Sequence, residues 1–179
     1  PSAHLRFIFQ AAEETAQGAH WMVEDGALRG VTAILGLHVD PTIRAGRVGI
    51  RYGVLTAQVD EVLIEVRGKG GHAARPQHTS DPIGTAAILI SALYQTIPRR
   101  ADALTPMVFS VGSIHGGMAS NVIPDLVEIS GTLRSTDFRT RDTILGSIRQ
   151  ICTGVAATTG NTIDVTYRSP LGSVMNDVT

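Results

Sequence analysis

QVDEVLIEVR, residues 58–67, carries Val59, Val62, Ile64 and Val66 in ten positions. The alternation is imperfect, but the β-branched content favours a strand. Gly68, Gly70 and Gly71 turn the chain directly after it. Asp81-Pro82 then has the form of a helix start, with Asp as cap and Pro fixing the first helical φ. The helix it opens runs to about Ile97 and is ended by Pro98. Pro106–His115 and Asp125–Arg134 read as two further strands joined through the loop at 116–121. From about Thr140 to Thr158, Ile144, Ile148, Ile151 and Val155 recur on one face of a second helix, which also takes Cys152 into the core. Thr162–Tyr167 closes the series as a strand.

The order from Ala57 to Pro170 is therefore β-α-β-β-α-β, the ferredoxin-like plan of a sheet with two helices on one face. Working back from it, Gly46–Thr56 is a glycine-punctuated connection. Before that, Leu5–Gln10 (LRFIFQ) and Thr32–Val39 (TAILGLHV) read as buried strands on either side of a helix with Ala19, Met22, Val23 and Ala27 at three- and four-residue steps. Strand, helix, strand is a βαβ unit, whose ligands sit off the carboxyl ends of its strands. The expected architecture is α/β in three parts: residues 1–56 as a partial βαβ domain, 57–170 as a ferredoxin-like domain, and a short remainder at 171–179. The N-terminus, Pro1-Ser2-Ala3-His4, reads as a start inside a domain, since it has neither an initiator Met nor the plan of a signal peptide.

A net charge of -1, with 4% aromatic residues, gives no electrostatic or stacking basis for binding nucleic acid or an anionic membrane. The most apolar run, Ile83–Tyr94, is too short to span a bilayer. The single cysteine precludes an internal disulfide and suits a reducing cytoplasm. A small molecule is the expected client.

Three constellations bear on chemistry. Glu13 and Glu14 leave the first strand end together and must diverge, so one can bind a metal while its neighbour moves the proton of a water; acids in a first helical turn also simply complement its dipole. His38 ends the next strand of the same unit and can converge on the same crevice, and Glu with His is an ordinary zinc ligand pair. In the second, GKGGHAARP at 68–76, the glycines allow close backbone approach and His72 can donate a hydrogen bond to an oxyanion, although the segment also reads as a surface turn. In the third, Asn121 can hold a substrate amide and Arg134 a carboxylate.

These residues are similar to those of the aminoacylase-type metallo-amidohydrolases, which include hippurate and auxin-conjugate hydrolases. The strings FQAAEE, GLHV, GKGGHAARPQ, SDPI, SNVIPD and GTLR occur here in that family's order and spacing across essentially the whole chain. Ala11 departs from the family's pattern, where Pro is common. The resemblance implies that residues 1–56 are part of a catalytic domain with two divalent ions (zinc, or manganese, cobalt or nickel), that 57–170 are a ferredoxin-like lid that makes a homodimer, and that 171–179 start a return to the catalytic domain. By the resemblance Glu13 is the general base, and Glu14 and His38 are metal ligands. His72 acts in the partner's active site, while Asn121 and Arg134 hold an N-acyl or N-aroyl amino acid. The family's earlier Cys-Gly-His-Asp segment and its final His ligand do not occur in the sequence, so the expectation is that this chain by itself is inactive. The competing expectation is a non-catalytic ferredoxin-like module for dimerisation or small-ligand binding, which has no use for the carboxylate pair and His38.

Overall fold

Residues 4–15 and 17–177 are described by the computed structural model, and they fall into two units, Pro1–Arg51 and Tyr52–Thr179. In the first unit a short 3-10 turn, Glu13–Thr15, leads to helix α1, Gln17–Glu24. The expected helix is present, but residues 5–10 and 32–39 form no strand. Their apolar side chains Leu5, Phe7, Phe9, Leu35, Leu37 and Val39 are 80–88% exposed. The reason is that parallel strands are stable only when both faces are covered, and the described residues of this unit supply no such cover. Residue 6 is nevertheless tethered, because the Arg6 guanidinium donates to the carbonyls of Ala27 and Arg29 at 2.7 and 3.1 Å.

The second unit begins with β1, Gly53–Val54, and β2, Gln58–Arg67, which covers the stretch QVDEVLIEVR. There follow β3 (Gly71–His72), α2 (Pro82–Thr96), β4 (Met107–Gly116), β5 (Val122–Ile123), β6 (Leu126–Ser135), α3 (Phe138–Thr159), β7 (Thr162–Leu171) and β8 (Met175–Asn176). The four long strands form one antiparallel sheet in the order β4-β6-β2-β7, which with the two long helices is the ferredoxin-like topology. Asp81 caps α2 by accepting from the Ile83 amide at 2.8 Å, with Pro82 in the first turn.

The core lies between the helices and one sheet face. Register sets Ile64 opposite Ile129 and Val66 opposite Val127, and Ala86, Leu89 and Leu93 of α2 and Ile144, Ile148 and Cys152 of α3 close over them. Burial pushes the Cys152 thiol up to about 11, so it is a core side chain and a poor nucleophile. Two short ribbons complete the unit. β1 pairs with β8, which brings its entry and exit side by side, and β3 pairs with β5.

Candidate active site

The loop after β2 is held by its own backbone. The Gly68 amide donates to the Asp125 carbonyl at 2.9 Å, and Lys69 and Ser80 exchange two backbone hydrogen bonds at 2.9 Å. The Gly70 amide donates to the Asp125 carboxylate at 2.7 Å. Next comes the β3–β5 ribbon, with Gly71 opposite Ile123 and His72 opposite Val122. The Ala73 amide donates to the Asn121 carbonyl at 3.0 Å, that of Ala74 to His72 Nδ1 at 3.1 Å, and that of Arg75 to the His72 carbonyl at 2.9 Å. The glycines are required by this close approach. A Cβ on Gly68 would overlap the Ser80 carbonyl, and one on Gly70 would lie 2.6 Å from the Ile123 carbonyl oxygen. An exposed loop is thereby fixed, with His72 in β3 and Asn121 in the turn just before the partner strand β5.

Beneath it lies a side chain to which the sequence reading gave no role. Asn161, 6% exposed at the start of β7, donates through Nδ2 to the Asp81 carbonyl at 3.0 Å and the Thr85 hydroxyl at 2.6 Å, and accepts from the Ser80 hydroxyl. It thus joins the start of α2 to the strand segment that pairs with Lys69. Asp125 likewise stands in the sequence only as the end of SNVIPD and the start of the strand at 125–134. A lone Asn after a helix and an Asp before a strand look like ordinary turn residues, so no local signal distinguishes them.

Arg134 lies elsewhere. It sits near the far end of β6, opposite Val59 on one side and Val108 on the other. Its side chain is exposed, on the sheet face that the helices leave open. Asp125, which anchors the His72 loop, is nine residues away along extended chain, a span of about 30 Å. Within one chain, therefore, His72 and Asn121 are brought together and Arg134 is not brought to them.

In the first unit, Glu13 and Glu14 are exposed in the 3-10 turn, one residue after Ala12, whose φ of +48° lies in the left-handed region. The Ala11 carbonyl packs so tightly on Gly18 of α1 that any Cβ there would overlap it, which fixes the turn presenting the two acids. His38 Nδ1 is 2.8 Å from the Val39 carbonyl. A carbonyl only accepts, so Nδ1 carries a proton, and in the neutral ring Nε2 then keeps the lone pair, the form a metal takes. Asp40, close by, is engaged otherwise. Its carboxyl is held below the ordinary range by hydrogen bonds from the Thr42 hydroxyl at 2.6 Å and the Thr42 amide at 2.8 Å. The donor types fit a zinc-type ion, but among the described residues no three His, Cys, Asp or Glu side chains are grouped to hold one.

Residues 49–159 match the model of the peptidase dimerisation domain. This chain belongs to the M20 peptidase family. Relatives in sequence include a "probable hydrolase" of Synechocystis sp., 49% identical over 97% of the chain and 44% of that protein. Another is N-acetylcysteine deacetylase of Bacillus subtilis, 39% identical over 98% of the chain and 46% of that enzyme. Among solved structures, the Bacillus subtilis YXEP protein, described as a dinuclear metal-binding peptidase of the M20 family, superposes with a TM-score of 0.75 at 34% identity, covering 95% of this chain and 42% of that one. The M20 chain thus spans somewhat less than half the length of these relatives. No helix among its described residues is long and apolar enough to cross a membrane.

Proposed function

We propose that this M20 chain carries the lid and part of the metal-binding domain of a homodimeric amidohydrolase that cleaves N-acyl or N-aroyl amino acids. In this reading Glu14 and His38 are among the ligands of two divalent ions, zinc foremost. Bound ions of this kind supply a Lewis acid and generate a nucleophile from water at neutral pH. Glu13 takes a proton from the attacking water and delivers it to the departing nitrogen. His72 donates to the carbonyl oxygen as charge builds on it, Asn121 holds the substrate amide, and Arg134 grips the carboxylate. The paired β1 and β8 support the view that residues 171–179 lead back to the metal-binding domain, because they set the two crossings side by side.

The observation that carries the proposal is the separation of about 30 Å between the anchor of the His72 loop and Arg134 along β6. A small acylated amino acid cannot touch both within one chain. Two chains related by a twofold axis supply both, with Arg134 from one protomer and His72 with Asn121 from its partner. The lid has a surface for such an assembly. β4 is an edge strand, and beside it α2 exposes Ile88 (52%) and Tyr94 (45%).

The test is a mixing experiment in the enzyme that carries this chain. His72→Ala and Arg134→Ala are each expected to be nearly inactive. Subunits exchanged between them form heterodimers with one intact site, and random pairing restores about a quarter of wild-type activity. No restoration on verified exchange means that both residues serve the same protomer or that one lies outside the site, and the reading then fails.

A further inference from the structure

Two histidines of this chain are held in opposite tautomers. At His38 the ring nitrogen Nδ1 faces the Val39 carbonyl and must carry the proton. At His72 the ring nitrogen Nδ1 faces the Ala74 amide at 3.1 Å, and an amide N–H only donates, so this nitrogen must be bare. The proton of neutral His72 is then on Nε2, the outer nitrogen of an exposed ring. A histidine meant to donate to a developing oxyanion needs that arrangement, and one meant to bind a metal through Nε2 needs the reverse.

The Ala74 amide reaches Nδ1 through the turn at residues 72–75, which the Arg75 amide closes on the His72 carbonyl. Asp125 fastens the segment that leads into that turn. Its carbonyl accepts from Gly68 and its carboxylate accepts from Gly70, so one residue fastens both sides of Lys69. From there the β3–β5 ribbon and the contact of the Ala73 amide with the Asn121 carbonyl carry the constraint to the imidazole. We propose that Asp125 is a positioning residue for His72, and that the loop it fastens locks His72 as the Nε2–H tautomer so that Nε2 is the single proton donor presented to a ligand. The proposal rests on the reading of His72 as the oxyanion donor only for its purpose; the lock itself is a property of the chain.

Nitrogen-15 NMR of the imidazole rings in this chain reports the tautomers directly, and amide exchange reports the loop. Above the titration range, His72 is expected to show a protonated Nε2 and a bare Nδ1, with His38 as its mirror image in the same spectrum. In Asp125→Ala the Gly70 amide is expected to exchange at least about tenfold faster, and the His72 ring to become a mixture of tautomers. Asp125→Asn, whose side-chain oxygen still accepts, is expected to restore the wild-type ring signals. Protected β2 and β6 amides certify that each variant is folded; should Asp125→Ala unfold, the wild-type ring and Asp125→Asn decide alone. A wild-type His72 protonated at Nδ1 overturns the proposal, as does an Asp125→Ala variant with unchanged ring signals or an Asp125→Asn variant that fails to restore them. None of these outcomes depends on hydrolysis, so the tautomer lock and the shared active site fail separately.

Discussion

Asp60 is 1% exposed near the start of β2, with its carboxylate gripped by two guanidinium nitrogens of Arg141 at 2.6 and 2.7 Å and by the Ser169 hydroxyl. Burial by itself raises this carboxyl, but the hydrogen bonds from Arg141 and Ser169, with the Arg141 charge, hold it below the ordinary 3.8. The residue explains why the alternation in QVDEVLIEVR looks imperfect. Gln58, Asp60, Val62, Ile64 and Val66 are all buried, so the period of two is intact and is hidden by the polar identity of its first two members and by apolar Val59 and Leu63 on the other face. Removing one partner of a buried pair leaves the other charge uncompensated. Because Arg141 keeps a fifth of its side chain in water, Arg141→Ala is expected to cost about 3 kcal/mol, the low end for such pairs, read from the urea midpoint. The sign with pH follows from the depressed value. The stabilisation from Asp60 is complete above the unfolded-state value near 3.8 and is lost as pH falls through the lower folded value. Asp60→Asn, destabilised at neutral pH, is therefore expected to lose less further stability than wild type between pH 4 and 2.

Among the elements, length decides what the sequence discloses. The four long strands and two long helices of the second unit are legible because ten or more residues repeat a period. The start of α2 is legible because Asp81-Pro82 is a cap with a mechanism. The start of α3 is less so: Asp137 caps it by accepting from the Thr140 amide at 2.7 Å, three residues before the expected first turn. Two residues have no period at all, so the β1–β8 and β3–β5 ribbons, which pair segments about 120 and 50 residues apart, leave no pattern to read. The candidate site includes the second of these ribbons, and Asn161, just before β7, ties the start of α2 to Ser80, the partner of Lys69 in the loop that leads into it. Asn161→Ala strips hydrogen bonds from Ser80, Thr85 and the Asp81 carbonyl in a buried setting, and is expected to cost about 2 kcal/mol. Hydrogen exchange adds a sharper criterion than the melting temperature alone. The amides of Lys69 and Ser80 should lose more protection than those of the β2–β6 ladder, and a uniform loss along the sheet would show that Asn161 supports the whole unit and not this corner.

At the scale of the whole molecule the two units differ in how much of their structure their own residues support. The apolar runs at 5–10 and 32–39 carry a genuine strand signal, yet their side chains lie open. A run meant for burial on both faces signals a need for neighbours and does not reveal where they come from. The metal chemistry shows the same asymmetry. Glu14 and His38 are legible as ligand types and His38 holds the right tautomer, but a catalytic zinc takes three protein ligands and the described residues group no three. Dialysed against trace zinc, this chain is therefore expected to retain well under one ion and to release no amino acid from N-acetyl or N-benzoyl amino acids above background. The dimeric amidohydrolase proposed above is expected to keep two ions and to lose at least one of them in the Glu14→Ala, His38→Ala double variant. Elemental analysis per chain measures each case. A full equivalent of zinc held by this chain and untouched in the double variant would move the ligands to other residues, and with them the assignment of Glu13 as the base beside the metal.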